Sequence, residues 1–94
     1  QLMGVFSRRH RTLDALPQGA RIAIPNDPTN GGRALLILAQ AGLITLRPGV
    51  DFRATVADVT ANPKRVRFVE LEAASIVRAL EDVDAGAITG NFAV

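Results

Sequence analysis

A chain that runs Arg21-Ile22-Ala23-Ile24 directly into Pro25-Asn26-Asp27-Pro28, and then through Ala34-Leu35-Leu36-Ile37-Leu38-Ala39, has few folds open to it. The first four residues read as a strand, which Pro25 should end because proline has no N–H to give a ladder. Asp27 suits a helix N-cap, and Pro28 suits the first helical position, where an N–H would have had no partner. The helix is expected to reach about Ala41, with Gly42 as the left-handed residue after its last turn. Its apolar residues surround the axis almost completely, so it must be covered, and a sheet built on the preceding strand is the surface at hand.

The remaining segments supply that sheet. Leu2 to Phe6 is short, apolar and partly β-branched, and reads as a strand ahead of the basic loop Ser7-Arg8-Arg9-His10-Arg11. Thr12 to Leu16 predicts one helical turn capped by Thr12 and ended by Pro17-Gln18-Gly19. Leu43 to Leu46 reads as a short extended piece, Arg47-Pro48-Gly49-Val50 as a turn, and Thr55 to Thr60 as a helical turn or two. After the break at Asn62-Pro63, Val66 to Leu71 alternates apolar with charged residues as a half-buried strand does. Ala73, Ile76, Val77 and Leu80 have the spacing of an amphipathic helix, and Asp84 to Ile88 reads as a last strand leading to Thr89-Gly90-Asn91. Strands alternate with helices throughout, which predicts a single α/β domain over residues 1–94 with a mainly parallel sheet.

Composition narrows the function classes. Eleven basic residues, all but one of them Arg, face nine acidic ones, and four Phe are the whole aromatic complement. Basic residues form no run of four, so a nucleic-acid stripe with stacking platforms is not expected. The absence of Cys removes disulfides, thiolate nucleophiles and cysteine-based zinc sites together. No uninterrupted apolar stretch long enough for a membrane span occurs, and no charged segment precedes an apolar run as in a signal peptide. Both ends read as strand or strand edge, which suggests a piece of something longer.

Ligands of open α/β sheets collect beyond the carboxyl ends of the strands, where helix N-termini present backbone N–H groups. Three junctions of this kind follow apolar strands: Pro25 to Arg33, Leu71 to Ser75, and Thr89 to Asn91. The first joins a helix start, the adjacent Gly31 and Gly32, and Arg33, a set that suits an anion. A carboxylate could take backbone N–H bonds and a bidentate guanidinium contact, with the glycines admitting the ligand close to the backbone. The plain reading is that Asp27 caps the helix and Arg33 makes a surface ion pair. Gly31-Gly32 has neither dinucleotide-fingerprint nor phosphate-loop spacing. Glu70 and Glu72 bracket Leu71 and would face one way on a strand, a possible carboxylate pair for acid–base work, although a solvated edge is the commoner outcome. His10 is expected to be exposed, Arg8, Arg9 and Arg11 to form a solvated loop, and Ser7 and Ser75 lack any activating motif. Neither catalytic residues nor a metal or cofactor is expected.

The string Asn26-Asp27-Pro28-Thr29-Asn30-Gly31-Gly32-Arg33-Ala34-Leu35-Leu36-Ile37-Leu38 resembles the family of methionine-binding lipoproteins that feed ABC importers. The likeness continues through Ala41-Gly42-Leu43-Ile44, Asn62-Pro63-Lys64, Val69-Glu70-Leu71-Glu72-Ala73 and Arg78 to Ala85, and includes Gly4-Val5-Phe6-Ser7 and Leu13 to Pro17. It implies one three-layer α/β lobe of a type II periplasmic binding protein, a protein whose two lobes close on an amino acid. Under the resemblance Arg33 matches the family arginine that pairs with the ligand carboxylate, and Asn26, Thr29 and Asn30 match the loop shaping that part of the cleft. Thr89 stands where the family has an Asn that bonds the amino acid, and Thr offers one hydroxyl in place of a donor and an acceptor. Asn91 is placed to compensate or to serve the turn, and Glu72 matches a position near the cleft. Thr89 and Asn30 are expected to orient the ligand's amino group.

The function implied is half of the binding site of an importer receptor, most simply for methionine, with binding and not turnover as its work. The partners implied are the small-molecule ligand, the ABC importer permease and the first lobe of the same protein. The localisation implied is periplasmic or cell-envelope, through a lipoprotein anchor on the full-length protein. The alternative is an assembly module that self-associates through the cleft face or by strand exchange, with another amino acid or short peptide as ligand. A small enzyme using Glu70 and Glu72 is the third possibility.

Overall fold

The computed structural model describes residues 2–90, and the elements follow the sequence pattern closely. Strand β1 is Leu2–Phe6, a 3-10 turn spans Leu13–Ala15, β2 is Arg21–Pro25 and helix α1 is Pro28–Gln40. Strands β3 (Thr45–Leu46) and β4 (Val59–Ala61) come next, with a 3-10 turn at Val56–Asp58 between them. Strand β5 is Arg67–Leu71, a 3-10 turn at Ala73–Ser75 leads into the single-turn helix α2 at Ile76–Ala79, and β6 is Ala85–Gly90.

Four strands form one sheet in the order β1-β6-β2-β5. Strand β2 runs parallel to both neighbours, pairing Ile22 with Phe68 and Ala23 with Val69 on one side, and Ala23 with Gly86 on the other. Strand β1 is antiparallel to β6, with Met3 opposite Thr89. The short β3 and β4 form a separate antiparallel pair.

Side chains alternate across the sheet and define two layers. Ile22, Ile24, Ala85 and Ala87 face α1, where they pack with Ala34, Leu35 and Leu38. The segment from Leu43 to Val66 closes the same layer, burying Leu43, Ile44, Ala54 and Val66. Ala23 faces the other way, onto Ile76, Leu80 and Val83. The arrangement is helix, sheet, helix, as α/β patterning predicts, with a thick layer on the α1 side and a thin one on the α2 side.

Helix α1 begins as its residues dictate. The Asp27 side chain accepts the Asn30 N–H at 3.0 Å, and Pro28 fills the first position. The helix ends at Gln40 with Ala41 as its C-cap, and Gly42 at φ 81 supplies the left-handed turn. Asp27→Ala is expected to lower the free energy of unfolding by about 1 kcal/mol, the usual worth of an N-cap side chain, as chemical denaturation would show.

Several expectations are corrected. Pro25 belongs to β2 instead of ending it: it stands opposite Leu71, and the Asn26 N–H makes the next bond, to the Leu71 carbonyl at 2.8 Å. Thr12 occupies the cap position of its turn but makes no side-chain cap bond. The helical reading of Thr55 to Thr60 holds only for Val56–Asp58, since Val59–Ala61 pairs with β3. The amphipathic segment from Ala73 to Leu80 is a 3-10 turn followed by one α-turn, and Val77, predicted to be on its buried face, is 56% exposed.

Candidate functional site

Parallel pairing brings the three predicted junctions to one edge of the sheet. Beyond β2 lie Asn26, Thr29, Asn30 and Arg33, beyond β5 lies Glu72, and at the end of β6 lies Thr89. Since β2 lies between β6 and β5, the order along this edge is Thr89, then the α1 start, then Glu72. Thr89 and Glu72 thus stand on strands two spacings apart, about 10 Å at the usual separation of neighbouring strands. Asn91 lies outside the described residues.

The α1 start differs in chemistry from a bare helix N-terminus. Pro28 contributes no N–H, and the Asn30 N–H is already donated to Asp27. The cap carboxylate also puts negative charge where a ligand anion would otherwise sit. Arg33 is therefore the cation of this junction: half-buried, it donates from Nη1 to Asn30 Oδ1 at 2.9 Å.

The glycine pair serves packing, contrary to the expectation that it admits a ligand. A Cβ on Gly32 would fall 1.7 Å from the Phe52 carbonyl oxygen, and one on Gly31 would fall 2.9 Å from the Pro25 carbonyl oxygen. The space beside Gly32 is thus filled by the 52–54 segment, which seats directly against the helix. Between this segment, the α1 start and Glu70 a cleft of about 60 Å³ remains. Small-molecule sites usually offer about 300 Å³ or more, so this cleft alone encloses no amino acid.

Glu72 occupies the N-cap position of the 3-10 turn at Ala73–Ser75, where its carbonyl accepts the Ser75 N–H at 2.9 Å and its exposed side chain makes no cap bond. Glu70 is exposed on β5 and lines the small cleft. The two carboxylates are not joined by a base or a nucleophile, and the described residues contain no His, Cys, Asp and Glu group that could hold a metal. Thr89 is partly buried in β6, beside Met3 of the edge strand.

Sequence reasoning missed a polar cluster at the opposite end of the sheet. Asp84, just before β6, accepts the Arg21 N–H at 2.9 Å through Oδ2 and lies 3.2 Å from His10 Nε2 through Oδ1. Arg9 stands 3.8 Å from the same carboxylate and donates to the Glu81 carbonyl at 2.8 Å, while Arg8 pairs with Glu81 at 3.3 Å. Ser7 Oγ donates to the Asp84 carbonyl at 2.6 Å and accepts the His10 N–H at 2.9 Å. Arg8, Arg9 and Arg11 are exposed, as expected of a solvated loop, although Arg8 and Arg9 are also tied to Glu81 and Asp84; His10, expected to be exposed, has a side chain only 23% exposed. The partners are distant in sequence, and no local pattern announces them.

The Arg21 N–H, followed by the His10 and Arg9 contacts, holds the Asp84 carboxyl below its ordinary value of 3.8. A depressed carboxylate contributes stability that is present above the unfolded-chain value and is lost as pH falls through the folded one. Asp84→Asn should accordingly flatten the loss of stability below about pH 4, measured against wild type by urea unfolding across pH. Equal acid limbs in the two proteins would contradict the cluster's role. The comparison must be differential, because Arg53 holds Asp51 at about 2, and Asp58 is lowered by the Thr55 N–H and then by Arg47.

Residues 1–94 match the family described as NlpA lipoprotein. The probable D-methionine-binding lipoprotein MetQ of Vibrio cholerae is 48% identical over 88 residues, which are 94% of this chain and 33% of that protein. A periplasmic substrate-binding protein of an ABC transporter from Coxiella burnetii superposes with a TM-score of 0.90 at 46% identity, covering 97% of this chain and 38% of its own. A nutrient-binding protein from Burkholderia cenocepacia bound to methionine gives the same TM-score and identity, covering 96% and 39%. The chain thus spans about a third of the length of the curated relative.

Proposed function

We propose, since the chain belongs to the NlpA lipoprotein family, that it is one lobe of the substrate-binding protein of an ABC importer and holds the carboxylate end of an amino acid, methionine first. The observation that carries this reading is the gathering of Arg33, Asn26, Thr89 and Glu72 at one sheet edge, in a fold that superposes at a TM-score of 0.90 on a methionine-bound protein. In this reading Arg33 takes the carboxylate, Thr89 reads the amino group, and a second lobe encloses the side chain. The work is binding and not turnover. The importer permease is the partner, and the cell envelope is the location, reached through a lipoprotein anchor on the longer protein. Self-association as the main function is not favoured, because the named relatives are binding proteins.

Calorimetry on the full-length polypeptide carrying these residues tests the reading. L-Methionine should bind, and methioninamide, which lacks the carboxylate, should bind roughly 50-fold more weakly, the worth of a charged hydrogen-bonded contact. The isolated 94 residues should give no saturable heat at millimolar methionine. Equal affinity for acid and amide would remove Arg33 from its role, and submicromolar binding by the isolated chain would remove the half-site.

A further inference from the structure

We infer that Asn30 is a positioning residue for Arg33 and does not read the ligand's amino group, an assignment that rests on Arg33 taking the carboxylate. The first observation is the bond from Arg33 Nη1 to Asn30 Oδ1 at 2.9 Å. Guanidinium groups only donate, so the amide orientation is fixed by chemistry: a flipped Asn30 would oppose donor to donor. An ammonium at the remaining lone pair of Oδ1 would stand next to the guanidinium, like charge beside like charge.

The second observation is that Asn30 is itself held. Its backbone N–H is donated to Asp27 Oδ2 at 3.0 Å, which anchors it in the first turn of α1. Arg33 follows at i+3 on the same face, and helical side chains lean toward the N-terminus, so the guanidinium passes back over Asn30 toward the sheet edge. A cation there opposes the helix dipole and a long side chain loses rotamer freedom, so an ordering contact lowers what the ligand must supply on binding. Asp27 fixes the Asn30 backbone at the start of α1, and the Asn30 side-chain oxygen aims the Arg33 cation. The notion of Asn30 as an amino-group ligand is replaced by one of ordering.

The test uses the full-length polypeptide with L-methionine and methioninamide as probes, in wild type, Asn30→Ala, Arg33→Ala and the double variant. Asn30→Ala keeps the backbone N–H that Asp27 accepts, so folding should be intact, as an unchanged melting temperature would show. It should weaken methionine about tenfold and methioninamide less than about twofold, and it should have no further effect once Arg33 is Ala. Asn30→Asp, which keeps the acceptor but adds a negative charge, should weaken methionine while sparing or tightening the cationic amide. Equal losses for both probes in Asn30→Ala would mean a direct amino-group contact, and a persistent loss on the Arg33→Ala background would mean a contact independent of Arg33. Either outcome overturns the inference while leaving the Arg33 reading intact. Failure of Arg33→Ala to change the preference for acid over amide would instead overturn the functional reading, and the inference with it.

Discussion

Gly32→Ala should lower the stability of the chain by about 3 kcal/mol in urea unfolding, although it puts the best helix former in place of a poor one. Helix propensity alone would favour the change by about 1 kcal/mol. Against it stands the new Cβ, 1.7 Å from the Phe52 carbonyl oxygen, 2.5 Å from the Phe52 carbonyl carbon and 3.2 Å from the Ala54 nitrogen. These are backbone atoms, and a rotamer change cannot move them aside. Nor is the segment free to retreat, because Ala54 is buried and its N–H is donated to the Asp51 carbonyl at 2.9 Å. The clash must lift the 52–54 segment off α1 or bend the helix. Gly86→Ala is the internal control: its Cβ would meet Ile76 Cγ2 at 2.7 Å and Leu80 Cδ2 at 2.9 Å, side-chain and not backbone atoms, of which the Leu80 methyl can swing aside and the β-branched Ile76 methyl must move with α2. Its cost should be smaller, about 1 to 2 kcal/mol. A Gly32→Ala protein as stable as wild type, or Gly86→Ala as the more damaging of the two, would show that the segment does not seat as described.

How much of this was legible in the sequence depended on the range of each interaction. The start of α1 could be read from Asp27 and Pro28 because capping is decided within one turn. The gathering of Asn26, Glu72 and Thr89 at one edge could be read because each follows an apolar strand and parallel strands end together. Gly32 could not be read: glycine before an arginine at a helix start suits a ligand and a packed loop equally, and the packing partner, Phe52, lies on a remote segment. The turn at Val56 was misjudged for a related reason. Asp58 accepts the Thr55 N–H at 2.9 Å, a good helix-start signal, but pairing of the following residues with Thr45 and Leu46 halts the helix at once. Tertiary pairing overrode a correct local signal. Asp84 read as the first residue of the last strand, whereas β6 begins at Ala85 and Asp84 lies among His10, Arg9 and the Arg21 N–H. The expectation that Thr89 departs from the family rested on the resemblance alone, since a threonine at the end of β6 carries no signal on local grounds.

Ile76→Ala should cost about 3 to 4 kcal/mol, the upper part of the range for a large buried aliphatic residue, because the layer it anchors is thin. Ile76 is fully buried and packs with Ala23, Leu80 and Val83, whereas the α1 side of the sheet has a far larger cluster. Leu35 or Leu38 is surrounded by neighbours that can partly close a cavity, but Ile76 is the sole buried residue of a four-residue helix. A single turn has no stability of its own and exists because its apolar face is held to the sheet. Truncating that face should therefore release α2 before it unfolds the remainder. In hydrogen exchange, the amides of Leu80 and Val83, donated to the Ile76 and Ala79 carbonyls at 3.1 Å each, should lose protection while those of Leu35 and Leu38 keep most of theirs. Protection lost evenly across both layers would mean that the two helices open as one unit. The same variant also probes Glu72, which opens the turn leading into α2. If its carboxylate is not in the ligand's reach, methionine affinity in the full-length protein should survive the loosening of this layer, because Arg33 and Asn30 stand on α1.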